Sequence, residues 1–162
     1  MSGSGAGLSH VGPEGEARMV NVSDKPVTER VARAAGRIRM RPETVEAIRA
    51  NTIAKGDVLG TARIAGVLAA KRTADLIPLC HPVPLTDVQV SLVLDDALPG
   101  IRCEATARAV ARTGVEMEAM TAVAVSLITV YDMAKAIDRG MSICEIELLE
   151  KSGGRSGQWT RA

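Results

Sequence analysis

The chain has 162 residues, enough for one domain with a real core. A formal net charge of +1 removes bulk charge as an argument for nucleic acid or an anionic membrane. With no Phe, one Tyr and one Trp, it lacks the stacking platforms of a single-strand nucleic-acid binder, so its core must be Val, Leu, Ile, Ala and Met.

Residues 1–17 are rich in Gly and Ser and are expected to form a flexible tail, with His10 solvated in it. This stretch has neither a basic n-region nor an apolar h-region, so it does not read as a signal peptide. Cys80, Cys103 and Cys144 are widely spaced and form no CxxC pair. They read as reduced thiols of a cytoplasmic protein.

The run RMVNVSDKPVT, residues 18–28, mixes short apolar residues with turn chemistry at Ser23, Asp24 and Pro26. Alternation then predicts a strand over 32–40, with Arg37, Arg39 and Arg41 at its end. Pro42 and Glu43 open a short helix to about residue 51, with Pro at its first position. In Ala54-Lys55-Gly56-Asp57, an amine stands just outside a helix start with Asp57 as N-cap. Taken alone, Lys55 reads as an exposed loop lysine. The helix that follows, 58–70, is full of Ala and Gly, which let another backbone approach closely. Lys71 and Arg72 close it, where cations suit the helix dipole without any further function.

Residues 76–87, LIPLCHPVPLTD, contain Pro78, Pro82 and Pro84, which forbid helix and central strand. The stretch is otherwise apolar, so a stiff, buried loop is expected around Cys80 and His81. A lone histidine is more often structural than catalytic, but a rigid frame is what a preorganised site needs. Residues 88–95 and 101–109 alternate about a Pro99-Gly100 turn and predict a β-hairpin.

Residues 114–140 read GVEMEAMTAVAVSLITVYDMAKAIDRG. The middle is almost wholly apolar and predicts a helix, 114–138, buried on most of its circumference. Glu116 and Glu118 lie in its first turn, at the positive end of the dipole. Asp132 and Lys135 lie near the other end, three residues apart and on one face. A desolvated acid and amine side by side would need compensation, which makes the pair a candidate site. Residues 143–149, ICEIELL, predict a last strand. The tail EKSGGRSGQWTRA reads either as a frayed end or as an anion-binding loop with N–H groups freed by Gly153-Gly154.

This order predicts an α+β fold: a ferredoxin-like βαββαβ sandwich with an extra helix, its four-stranded antiparallel sheet covered on one face by helices. Residues 18–151 form the single expected domain, and 152–162 a Gly-rich basic tail. There is no P-loop, no GxGxxG and no internal repeat. Two histidines and three scattered cysteines make a poor zinc set.

The candidate chemical groups are Lys55, His81, Glu116, Glu118, Asp132 and Lys135. Glu118 and Asp132 fall roughly on one helix face but about 21 Å apart along the axis. Either two chains contribute to one site, or one of the pairs is structural. The first alternative places the site between subunits of a homo-oligomer.

Three motifs, KGDVLGTARIAGVLAAKRTADLIPLCHP, GVEMEAMTAVAVSLITVYDMAKA and EKSGGRSG, closely resemble the cyclic pyranopterin monophosphate synthase family, molybdenum cofactor biosynthesis protein C. The resemblance runs from about Arg18 to the C-terminus. It implies a ferredoxin-like subunit in a hexamer, a trimer of dimers, with sites at dimer interfaces. It also implies a lyase reaction, conversion of 3′,8-cyclo-7,8-dihydroguanosine 5′-triphosphate to cyclic pyranopterin monophosphate with release of pyrophosphate. By resemblance, Asp132, Lys135 and Lys55 carry proton transfer. Leu79, Cys80, His81, Met117 and Glu118 line the substrate pocket, with Glu116 beside the ring. Lys71, Arg72 and Lys151 are triphosphate candidates. No organic cofactor or resident metal is implied; a divalent ion such as Mg on the triphosphate is compatible. Where the family usually reads MVDVS, this chain carries an amide at Asn21. Lys25 lies outside the main motifs and reads as a neutral position. The rival classes are a non-catalytic nucleotide-binding regulatory oligomer and a structural subunit.

Overall fold

The computed structural model describes residues 15–162; most of the expected tail, His10 included, lies outside them. The first strand, β1 (Thr28–Arg39), turns Arg30, Ala32, Ala34 and Ile38 inward. It begins four residues earlier than the alternation predicts, because Thr28 to Val31 pair with Ala111 to Arg108. The charges at Glu29 and Arg30 hide that extension in the sequence. Helix α1 (Pro42–Arg49) follows with Pro at its first turn, as expected. Helix α2 (Val58–Ala70) starts at its predicted cap: the Asp57 carboxylate accepts from the Gly60 N–H at 2.9 Å. A single further turn, α3 (Thr73–Leu76), leads into the proline loop.

The hairpin β2 (Leu85–Asp95) and β3 (Gly100–Ala111) precedes the long helix α4 (Glu116–Ala134). That helix ends four residues before the predicted 138, with Lys135 as its C-cap. Strand β4 (Ser142–Ser152) returns beside β1. A short strand β5 (Trp159–Thr160) then pairs with β4. The sheet order is β2-β3-β1-β4-β5, and each pairing is antiparallel. The first four strands give the expected ferredoxin-like arrangement. The fifth corrects the four-stranded expectation: the tail adds an edge strand too short for any pattern to announce.

One face of the sheet carries α2 and α4. The floor under α4 is made of small side chains, Ala32 and Ala34 from β1 and Ala105, Ala107 and Ala109 from β3, all buried. With no Phe to fill space, close approach replaces bulk. A Cβ at Gly36 would meet Val123 Cγ1 at 2.7 Å, and one at Gly66 would meet Ser126 Oγ at 2.2 Å. Ser126 is fully buried and donates to the Ala62 carbonyl at 3.0 Å, tying α4 to α2. Helix α4 is long and apolar enough to cross a membrane, but it packs along β1, β3 and β4 as a core helix. The outer sheet face is charged: Arg33 bridges Glu104 on β3 and Glu150 on β4, both at 3.1 Å.

The proline loop departs from expectation in one respect. Pro78, Pro82 and Pro84 are exposed, while Leu79, Cys80 and His81 are half-buried. The loop borders an open cavity, so its apolar residues are not enclosed.

Candidate active site

Because α2 leads through α3 into the proline loop, and α2 packs along α4, the chain places chemistry at both ends of α4. The two ends, Met117 and Asp132, are about 22 Å apart along the helix axis.

At the C-terminal end stands a triad. Lys55 Nζ donates to Asp132 Oδ2 at 2.7 Å and to the Asp132 carbonyl at 2.9 Å. Lys135 Nζ donates to Asp132 Oδ1 at 2.7 Å. Lys55 comes from the turn before α2, so that turn brings an amine to the C-terminal end of α4. Hydrogen bonds from Lys135 first and Lys55 second hold the Asp132 carboxyl down at about 2. The expectation of a desolvated pair needs correction here: the Asp132, Lys55 and Lys135 side chains are 52%, 49% and 51% exposed. The last turn of the helix still buries Met133 and Ala134, while Asp132 and Lys135 lie on its exposed side.

At the N-terminal end lies a cavity of about 540 Å³. Leu79, Cys80 and His81 border it, with Glu116 and Met117 from the first turn of α4. The Glu116 carboxylate accepts from Lys151 Nζ at 2.9 Å. Glu118 does not line the cavity. It is 2% exposed, with Oε1 against the Cys80 thiol at 3.7 Å and Oε2 without a partner. Burial raises the Glu118 carboxyl, and burial together with Glu118 pushes the Cys80 thiol up to about 11. Glu118 thus stands behind the loop at Cys80 and not in the cavity. Lys71 and Arg72 stand exposed at the far end of α2 and do not line the cavity.

Sequence reasoning missed four cations that do line it: Lys25, Arg30, Arg112 and Arg155. Together with Lys151 they face one lining carboxylate among the described residues, Glu116. Arg30 is 8% exposed and has no carboxylate partner among the described residues; Nε donates to the Ala111 carbonyl at 3.2 Å and Nη2 to the Arg112 carbonyl at 3.3 Å. Arg112 in turn donates to the Ser23 carbonyl at 2.8 Å and to the Lys25 carbonyl, fixing the loop that carries Lys25. Asn21 serves the same loop, accepting from the Ser23 N–H at 2.9 Å. Lys25 is thus part of the wall and not a neutral position. The readable signal was Arg30, a charge on the inward-facing parity of a strand. A buried, unneutralised guanidinium beside an open cavity suits an anion. Among the described residues no cluster of metal-ligating side chains is present.

Residues 19–154 match the model of the MoaC family. The chain belongs to this family. It is similar to the cyclic pyranopterin monophosphate synthase of Thermomicrobium roseum, at 58% identity over 156 residues, 96% of this chain and 94% of that relative. It is 62% identical over 154 residues to the protein of the same name from Methylobacterium sp. (strain 4-46), covering 95% of this chain and 96% of the relative. The Brucella ovis protein of that name is 57% identical over 152 residues, covering 94% and 92%. The matched residues span both ends of α4 and include the triad and the cavity lining up to Lys151, with Arg155 and Ser156 just beyond them.

Proposed function

We propose that this MoaC-family chain is a cyclic pyranopterin monophosphate synthase of molybdenum cofactor biosynthesis. It would act as a phosphorus–oxygen lyase, taking 3′,8-cyclo-7,8-dihydroguanosine 5′-triphosphate to cyclic pyranopterin monophosphate and pyrophosphate. The observation that carries this reading is the cavity, where Lys25, Arg30, Arg112, Lys151 and Arg155 surround space for an anionic ligand. Forming a cyclic monophosphate from a triphosphate builds negative charge on a departing pyrophosphate, and fixed cations stabilise that charge. The rearrangement of the ring needs proton donors and acceptors, which Lys55, Asp132 and Lys135 would supply. Asp132, held near 2, stays ionised at neutral pH and orients the two amines.

In one chain the triad is too far from the cavity to reach the same small substrate. A homo-oligomer in which one copy's triad covers another copy's cavity resolves this, and a hexamer built as a trimer of dimers is the assembly we propose. Exposed apolar side chains on the helical layer, Ile64, Leu68, Leu76 and Ile128, support such an association. A divalent ion such as Mg would travel with the triphosphate, and the cytoplasm is the proposed compartment.

The deciding experiment is incubation with the cyclic dihydroguanosine triphosphate, followed by assay of pyrophosphate and of pterin fluorescence. Turnover of both products is expected. Saturable binding without either product would favour a non-catalytic nucleotide-binding regulator.

A further inference from the structure

The triad's own bonds are too weak to hold it in place. Its three side chains are each about half exposed, and exposed ion pairs yield easily to water and side-chain motion. Three residues beyond Lys135 lies Asp138, which is 4% exposed and belongs to neither the triad nor the cavity wall. Its Oδ2 accepts from the Arg41 N–H at 2.9 Å and its Oδ1 from the Gly140 N–H at 2.9 Å, with Arg41 Nε 3.6 Å from Oδ1. The Arg41 N–H holds this carboxyl below the usual carboxylate range despite its burial, and the Gly140 N–H adds to the effect. A buried, ionised carboxylate that accepts from two backbone N–H groups is a fixed point in the chain.

That point joins two segments. One is the chain leaving α4. The N–H groups of Ile137 and Asp138 both donate to the Ala134 carbonyl, at 2.9 and 3.2 Å, and the Lys135 N–H donates to the Tyr131 carbonyl at 2.9 Å. The Tyr131 hydroxyl donates to the Arg139 carbonyl at 3.1 Å, and the Arg41 guanidinium to the Ile137 carbonyl. The other segment is the start of α1, where Arg41 is the N-cap residue and makes no side-chain cap. From there the chain is pinned as far as Lys55. Val45, Ile48 and Ile53 are buried, the Thr52 N–H and hydroxyl both donate to the Ala47 carbonyl at 3.0 and 3.2 Å, and the Gly56 N–H donates to the Ile53 carbonyl at 2.9 Å. Lys135 stands on the first segment and Lys55 at the end of the second.

We propose that Asp138 is a positioning residue for the Lys55–Asp132–Lys135 triad: its carboxylate fixes the end of α4 to the start of α1, and so keeps the two amines on the two oxygens of Asp132. This deepens the proposed function and rests on its giving proton transfer to the triad. Both amine contacts to the Asp132 carboxylate are 2.7 Å long, and a displacement of about 1 Å is enough to cost a reaction a large part of its rate. Half-exposed side chains keep such geometry only when the backbone beneath them is fixed. Asp138 supplies that fixing from a place that no substrate touches.

The test compares Asp138→Ala and Asp138→Asn with Leu148→Ala, a control in mid-sheet opposite Ala34 that loses core packing away from both ends of α4. The amide of Asp138→Asn keeps one acceptor oxygen and so should retain the fold if Asp138→Ala does not. In the full-length Asp138 variants, kcat for the cyclic dihydroguanosine triphosphate should fall roughly tenfold or more with little change in KM. Carboxyl NMR should show the Asp132 midpoint rising from about 2, because the amines no longer sit squarely on it. Leu148→Ala should lower the unfolding temperature and leave the Asp132 midpoint where it is. An unchanged Asp132 midpoint in a folded Asp138 variant, or the same rise in Leu148→Ala, overturns the proposal. If the midpoint rises in the Asp138 variants alone while the wild-type chain turns over no cyclic triphosphate, the enzymatic reading fails and the positioning role stands.

Discussion

The two ends of α4 carry charges of the same kinds in opposite settings. At the N-terminal end, Lys151 and Glu116 are 30% and 26% exposed at the edge of a walled cavity. At the C-terminal end, two amines share one carboxylate on open surface, each side chain about half exposed. A surface ion pair contributes little to stability, since water screens it and ordering two long side chains costs entropy. The cavity end holds walled space for a ligand, with Glu116 tied to Lys151 and His81 at its border. The triad end has proton-bearing groups but no walls. Each end supplies what the other lacks, which is why one chain reads as two halves of a site.

The sharpest way to break this comparison is Lys135→Ala. If the triad is chemical, single-turnover rate falls about 10²–10⁴-fold while substrate binding and unfolding temperature stay close to wild type. Near-normal turnover would leave the triad as a surface ion pair. Arg49→Ala is the control, exposed on α1 and lining neither the cavity nor the triad, and should turn over normally. Lys25 cannot serve as that control, because it lines the cavity.

Mixing variants tests whether the halves come from different copies. Lys55 and Lys135 meet at one carboxylate of one chain, so Lys55→Ala and Lys135→Ala should not restore each other. Lys135→Ala mixed with Arg30→Ala should regain activity, since some mixed sites then pair an intact triad with an intact cavity. No recovery in verified mixed oligomers would place both halves in a single chain's own site.

A smaller effect concerns the strut between the ends. Gly66→Ala would press a methyl onto Ser126 Oγ and the Ala122 carbonyl, at 2.2 and 2.9 Å. Overpacking of this kind costs about 1–3 kcal/mol, partly offset by alanine's better helix propensity of about 1 kcal/mol. Chemical denaturation should show a net loss, and activity should fall with it because α2 positions Lys55 and the proline loop together.

The smallest effect is a titration. Asp132 is held near 2 by Lys135 and, less strongly, by Lys55. Its folded value lies below the unfolded one, so its contribution to stability is present above about pH 4 and is lost as pH falls through about 2. Carboxyl NMR should record a higher value in Lys135→Ala than in Lys55→Ala, and the lowest in the wild type. The reverse order would assign the main hydrogen bond to Lys55.

Much of this fold was legible because its local rules agree. Asp57 caps α2 where a cap was expected, and the β2–β3 alternation survives intact. The triad was legible as far as Asp132 and Lys135, whose spacing is helical, and Lys55 joined them only through resemblance. The cavity cations were harder, because Lys25, Arg30, Arg112 and Arg155 come from separate segments that only the folded sheet assembles. Strand β5 was illegible for a different reason: two residues carry no period, and their pairing is dictated by the glycine turn before them.

Trp159 on that strand is the chain's one tryptophan, 41% exposed and directly across from Lys151. Its emission therefore has a single origin, on the hairpin that carries Arg155. The protein holds a built-in optical probe one strand away from the cavity, opposite Lys151. Whatever shifts the hairpin, whether an anion entering, a neighbouring copy docking or a partner amine letting go, becomes a colour or intensity change readable in unlabelled protein on a stopped-flow timescale.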